Sequence, residues 1–212
     1  MRRMPSTRLG LIGGVLAPPT VVLAFLIGLA QHPELDPATD TISKLSARGI
    51  SDPWAMSTGF ALYGLLIIGF AYGLRSVTNR RHDPARIALA VHGALMIGTA
   101  IFRDDLAKWG WTTFIGALHD ITGGMAFTAL LFAMVLTAWA AAPEETRQRR
   151  FGFAYAGLFL AVGLGFLATP RWYPGYSERA FAIVGIAWVQ WITVSALVRS
   201  RQQHPHSREP IQ

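Results

Sequence analysis

Cysteine is missing from all 212 residues. That excludes disulfides and thiolate-ligated metal, and it leaves the compartment undecided. Charge is scarce too: Asp, Glu, Lys and Arg make up 15% of the chain, against roughly a quarter in soluble domains. There is no H-E-x-x-H, no G-x-S-x-G and no Walker-type loop, which removes the common zinc-protease, serine-hydrolase and nucleotide-binding signatures. Internal repeats and low-complexity tracts are absent, and no two in-span histidines share a depth as a haem would need.

Hydrophobic residues are what the chain has, 52% of it, gathered in long blocks. Six apolar spans can be read, at about 10–30, 54–74, 85–102, 114–140, 151–169 and 179–198. About 20 residues cross a hydrocarbon core as a helix, and open strands would leave backbone groups unpaired there. The expected fold is all-α: a polytopic membrane bundle of six transmembrane helices over 1–199. A polar tail, 200–212, follows; it holds His204 and His206 and is expected to be disordered. The first span follows Arg2, Arg3 and Arg8 but is too long for a signal-peptide core. An uncleaved first helix, kinked at Pro18-Pro19, is expected.

The net charge of +7 is spread over short loops, which fits membrane topology better than nucleic-acid binding. Thirteen of the nineteen Lys and Arg residues flank the spans on one side, in the N-terminus, 75–86, 143–150 and the tail. The positive-inside rule places both termini in the cytoplasm. Seven acids, Glu34, Asp36, Asp40, Asp52, Asp104, Asp105 and Glu178, fall on the other side. Trp54, Trp109, Trp111, Trp172, Tyr173 and Tyr176 lie at outer span ends as an interfacial belt, and Trp139 marks an inner end. Trp188 and Trp191 lie deeper, as packing or pocket wall.

In-span glycines include the Gly69/Gly73 pair, Gly93, Gly98, Gly123, Gly124, Gly163 and Gly165. Small residues let membrane helices approach closely, so Gly123 and Gly124 are expected to let a neighbouring helix close beneath His119 and Asp120. That ionisable pair lies inside the fourth span, roughly 8 Å below its outer end at 1.5 Å per residue. A charge at the centre of a membrane helix costs about 3 kcal/mol on insertion scales, so partners are expected. For Asp120 they are Arg103, Lys108 or Arg179; for His119, Asp40 or Asp105. Adjacent helical residues diverge by about 100°, so one of the pair is expected to face a pocket and the other a neighbouring helix. His92 reads as a satisfied buried histidine. The long outer connection, 31–53, reads as a folded lid, with Thr39 to Ser43 offering capping side chains. A catalytic metal needs about three close ligands. Only His119 is well placed, with His32 remote, so neither a metal site nor a cofactor is expected.

Four segments carry a family resemblance that runs from about Gly10 to Val198. They are Asp40-Thr41-Ile42-Ser43-Lys44-Leu45 with Gly49, Phe102-Arg103-Asp104-Asp105, His119, and Gly175-Tyr176-Ser177-Glu178-Arg179. In this order among six spans the chain resembles family 998 of the domains of unknown function, a set of bacterial six-span membrane proteins. Two positions depart from the family pattern: Ser46 stands where glycine is usual, and Arg103 replaces a proline and is expected to pair with Asp105 or Glu178. A more distant similarity, in the Ile42-Ser43 segment and the six-span plan, is to damage-regulated autophagy modulator-like membrane proteins. The resemblance implies a multi-pass protein of the bacterial inner membrane and supplies no reaction.

The residues leave two function classes open. One is an enzyme acting at the outer leaflet on a lipid or isoprenoid. Burial raises a carboxyl pKa, which makes Asp40, Asp105, Asp120 and Glu178 candidate acids, with His119 as base or proton shuttle. Ser43, Phe102, Arg103, Asp104, Trp109, Trp111, Phe114, Trp172, Tyr173 and Arg179 are then candidate substrate contacts. Acid-initiated cyclisation, as in membrane-bound terpene cyclases, is the specific form. The other class is a non-enzymatic module binding a lipid head group or a partner protein. Under a third reading the polar groups are only buried ion pairs that fix helix register. Membrane lipids are the expected partners, nucleic acid is not, and the oligomeric state is open.

Overall fold

A computed structural model describes residues 5–106, 112–142, 145–168 and 173–202. Six helices occupy them: α1 (Pro5–Gln31), α2 (Trp54–Gly73), α3 (Asp83–Ile101), α4 (Phe114–Ala140), α5 (Thr146–Ala168) and α6 (Pro174–Gln202). Each is long and apolar enough to cross a membrane, which makes this a multi-pass membrane protein. Pro18 and Pro19 lie inside α1, which continues through them. The polar tail begins inside α6, which runs to Gln202; His204 and His206 lie outside the described residues.

The helices form a ring. Each packs against its neighbours in the chain, and α6 closes on α1. In the seams α1–α2 and α2–α3, glycines let backbones touch. A Cβ on Gly73 would stand 2.6 Å from the Gly10 carbonyl carbon, and one on Gly93 would stand 2.6 Å from the Gly64 carbonyl oxygen. The α3–α4 seam is as extensive as α2–α3, whereas α4–α5, α5–α6 and α6–α1 hold fewer close approaches.

The end that holds the 32–53 connection is called the upper end below. The lower half of the ring is plugged by fully buried Phe70, Ile67, Leu89, Met134, Trp188 and Val189. Trp188 is thus packing, and Trp191 stacks on Tyr155 at 5.8 Å. In the upper half the described residues surround an open space instead. Gly123 and Gly124 do not admit a neighbouring helix: a Cβ on either would meet nothing within 4 Å. The small residues leave space there instead of closing it.

The 32–53 connection folds over the upper end, as a lid should. Ile42–Ser46 form a 3₁₀ turn with Leu45 and Ser46 buried. Thr41, at its N-cap, makes no side-chain capping bond; its hydroxyl lies 3.0 Å from the Ser43 hydroxyl. The capping acceptor comes from elsewhere, as the Ile42 N–H donates to the Glu178 carboxylate on α6. His32 bonds Glu34 and the Asp52 carbonyl within the lid, not the centre of the bundle. Gly49 turns the chain with φ +93°, a conformation that glycine adopts without the Cβ penalty.

Candidate functional site

A cavity of about 580 Å³ fills the upper half of the ring, within the usual range for small-molecule sites. Its walls include Phe25 of α1, Met56 and Phe60 of α2, Met96 of α3, Phe127 and Leu130 of α4, and Ile186 of α6. On α4 it extends from His119 to Leu130, roughly 16 Å at the helical rise. That is about half of a 30 Å hydrocarbon core.

Polar groups collect at the upper end. Asp40, Ser43, Lys44, Asp104, His119, Asp120, Glu178 and Arg179 all line the cavity. They are held by bonds between the lid, the α3–α4 connection and α6. Ser43 donates to Asp104 Oδ2 at 2.9 Å, and Lys44 Nζ lies 3.0 Å from the same oxygen. Lys44 also donates to the Asp105 carbonyl. The Arg48 N–H donates to the Asp104 carbonyl at 2.8 Å. Arg179 donates to the carbonyls of Pro37 at 2.5 Å and Asp40 at 3.0 Å, and its guanidinium carbon stands 5.2 Å from the centre of the Phe25 ring, a cation–π distance. Arg179→Ala is expected to speed amide exchange over 36–42 in detergent-solubilised protein, because two lid carbonyls lose their donor. Unchanged exchange there would remove Arg179 as the lid's anchor.

Several expected pairings differ in the structure. Arg103 bonds neither Asp105 nor Glu178, and it does not line the cavity. It donates to the carbonyls of Ser46 at 2.9 Å and Ala47 at 2.7 Å. Arg103 and Arg179 both serve carbonyls of the irregular lid, which need donors once covered. His119 bonds neither Asp40 nor Asp105; its Nδ1 lies 2.6 Å from the Phe102 carbonyl and 3.2 Å from that of Thr99. The expected split of His119 and Asp120 holds in part: buried His119 bonds the end of α3 while Asp120 is exposed, yet both line the cavity. An open chamber subtends a wide arc of α4, so residues about 100° apart still reach it.

Asp105 departs furthest from its expected place. It is buried but does not line the cavity. Its carboxylate accepts the N–H groups of Thr112 and Thr113, each at 2.9 Å, and the Thr113 hydroxyl at 2.9 Å. These are donors at the N-terminus of α4, where an anion is favoured. Burial works to raise the Asp105 pKa, but the bonds from Thr112 and Thr113 outweigh it and hold the carboxyl below the usual aspartate value. A carboxyl held in this way is a poorer proton donor than an ordinary aspartate. Gly116 makes room for it, since a Cβ there would run into the Asp105 carboxylate.

Of the other expected contacts, the Phe102 side chain does not line the cavity; its carbonyl serves His119. Phe114 is 78% exposed and Tyr173 57% exposed, on the outer surface of the bundle, where Tyr173 stacks on Tyr176. Trp109, Trp111, Trp172 and Lys108 lie outside the described residues. A second polar pair lies deeper in the cavity: Tyr63 Oη is 3.1 Å from His92 Nε2, and His92 Nδ1 is 2.9 Å from the Ala126 carbonyl. His92 is thus satisfied, as read, though it also lines the cavity. Lys44, Tyr63, Thr99 and Phe127 line it too and were not among the sequence candidates. Phe127 had a signal, since 119, 123 and 127 make one i, i+4 stripe on α4.

The four segments that carry the sequence resemblance are therefore bonded to one another across the upper end. Neither the curated proteins nor the solved structures contain a match to the chain. One family model, described as protein of unknown function (DUF998), matches residues 15–195, nearly the whole ring, and the chain belongs to that family.

Proposed function

We propose that the cavity takes the tail of a lipid or isoprenoid from one leaflet and holds its polar end beneath Asp40, Asp104, His119, Glu178 and Arg179. The observation that carries this reading is the cavity's polarity: about 580 Å³, apolar along its depth, with charged side chains gathered at one end. A half-bilayer depth suits one tail, and Lys44 and Arg179 suit an anionic head group. By the positive-inside count the leaflet is the extracytoplasmic one, with both termini cytoplasmic.

The test uses a substitution that fills space without displacing anything. Gly123 faces the cavity, and a Cβ there meets nothing, so Gly123→Phe is expected to fold and to occupy the chamber. In native mass spectrometry after mild detergent extraction, wild-type protein is expected to carry a lipid-mass adduct that Gly123→Phe has lost. Wild-type protein that stays bare, and whose melting temperature no membrane lipid extract raises, would end the reading. Turnover of the bound lipid, lost in Glu178→Gln while binding persists, separates an enzyme from a binding module.

A further inference from the structure

Three groups of metal-binding chemistry meet at the polar end of the cavity. One potential ligand atom from each of Asp104, His119 and Asp120 lies within 4.8 Å of the other two, and all three residues line the cavity. The His119 ring, 4% exposed, fixes its own tautomer. Both oxygens near Nδ1 are backbone carbonyls, which only accept. Nδ1 therefore carries the hydrogen, and in the neutral ring Nε2 keeps its lone pair. Metal-bound imidazoles are arranged this way, one nitrogen donating to a backbone carbonyl and the other facing the ion.

Asp104 is oriented from behind in the same manner. Its Oδ1 accepts the Asp105 N–H at 2.7 Å, and Oδ2 is held by Ser43 and Lys44. A carboxylate offers about four lone-pair positions, so a position on Oδ1 remains.

We propose that Asp104, His119 and Asp120 bind a divalent transition-metal ion of the Zn²⁺ or Mn²⁺ class. Imidazole with two carboxylates suits these ions. Three protein ligands leave a coordination position open, and here the open side is the cavity. Donors to zinc sit about 2.0–2.2 Å from the ion, so the three atoms draw inward on binding. Asp120, the exposed member of the three, is the ligand that moves. The two carboxylates and Lys44 carry one net negative charge, which a divalent ion turns into one net positive charge on the cavity wall. A phosphate or carboxylate oxygen of a head group is then the fitting further ligand. That last step rests on the lipid reading above; binding of the ion does not.

The experiment uses full-length protein with His204 and His206 both changed to alanine, which removes the tail imidazoles as a competing site. The protein is stripped with a chelator, equilibrated with Zn²⁺ or Mn²⁺, and desalted. Elemental analysis is expected to find about one ion per chain, and the ion to raise the melting temperature. Asp120→Asn is expected to fold and to weaken binding by more than about tenfold, since groups that only orient a ligand are already worth about 10–100-fold. His119→Gln is expected to do the same. Failure to retain either ion overturns the proposal, as does retention that Asp120→Asn leaves unchanged. Lipid adducts are measured on the same samples. A metal site without lipid sinks the lipid reading alone, and lipid without metal sinks this one alone.

Discussion

Asp105→Ala is expected to lower the melting temperature of the purified protein by roughly 6–12 °C. The alanine leaves the Thr112 and Thr113 N–H groups and the Thr113 hydroxyl without their acceptor. Donors deprived of a charged acceptor cost about 3 kcal/mol together, which for a domain of this size is roughly the shift stated. Asp105→Asn is expected to lose less, because its amide oxygen still accepts. The effect depends on pH in a fixed direction. The folded carboxyl has a pKa below the usual aspartate value, so the unfolded chain takes up the proton more readily. The carboxylate's contribution is full above about pH 4 and is lost as pH falls through the folded value. The gap in melting temperature between wild type and Asp105→Asn is therefore expected to narrow as the pH falls below the usual aspartate value and to close in stronger acid. A gap that persists at that acidity would mean that Asp105 is not acting as an ionised acceptor. Gly116→Ala reaches the same carboxylate from the other side, as its methyl group would displace it.

Gly93→Val is expected to abolish the folded monomer. A Cβ at Gly93 would stand 2.6 Å from the Gly64 carbonyl oxygen, 2.9 Å from Ile68 Cγ1 and 3.2 Å from the Ile68 backbone nitrogen. Two of these three atoms are backbone, so α2 and α3 would have to separate along their length. Overpacking at a site that relaxes costs about 1–3 kcal/mol; here the helices themselves must move, and a larger cost is expected. The readout is the monodisperse peak in size-exclusion chromatography in detergent, which Gly93→Val is expected to lose. Gly123→Ala, with nothing near its Cβ, is the matched control and is expected to leave that peak unchanged. A well-behaved Gly93→Val protein would show that the α2–α3 seam is not set by this contact.

The two glycine positions also show how far a sequence can be read here. Hydropathy alone recovers six spans, since lipid demands long apolar helices whatever the fold. It does not say what a glycine is for. Gly93 and Gly123 are equally small residues in apolar runs, yet one lies against a backbone and the other borders a chamber. The difference lies in the neighbouring helix, which a local pattern does not contain. The polar end was legible as a set of segments and misread as a set of pairs. Counting opposite charges pairs Arg103 with an acid, whereas the folded lid presents carbonyls at Ser46 and Ala47 that Arg103 reaches first. Asp105 looked like a buried acid because burial is foreseeable, and the three donors at the start of α4 that hold its charge were not. Glu178 and His119 kept their place at the cavity, but their bonds run to backbone groups of Ile42 and Phe102, which carry no sequence signature.

The ring arrangement bears on how the protein is made. Every seam but one joins helices that are consecutive in the chain, so the wall can be laid down in the order of synthesis, each helix packing on the one before it. The seam between α6 and α1 is the exception and waits for the last span. That span also brings Glu178 and Arg179 to their positions against Ile42, Pro37 and Asp40. A chain that lacks α6 has five adjacent helices and a lid still bonded to Arg103 and Asp104. It lacks one wall of the chamber and the lid's bonds to Glu178 and Arg179, so the cavity is completed only with the final span.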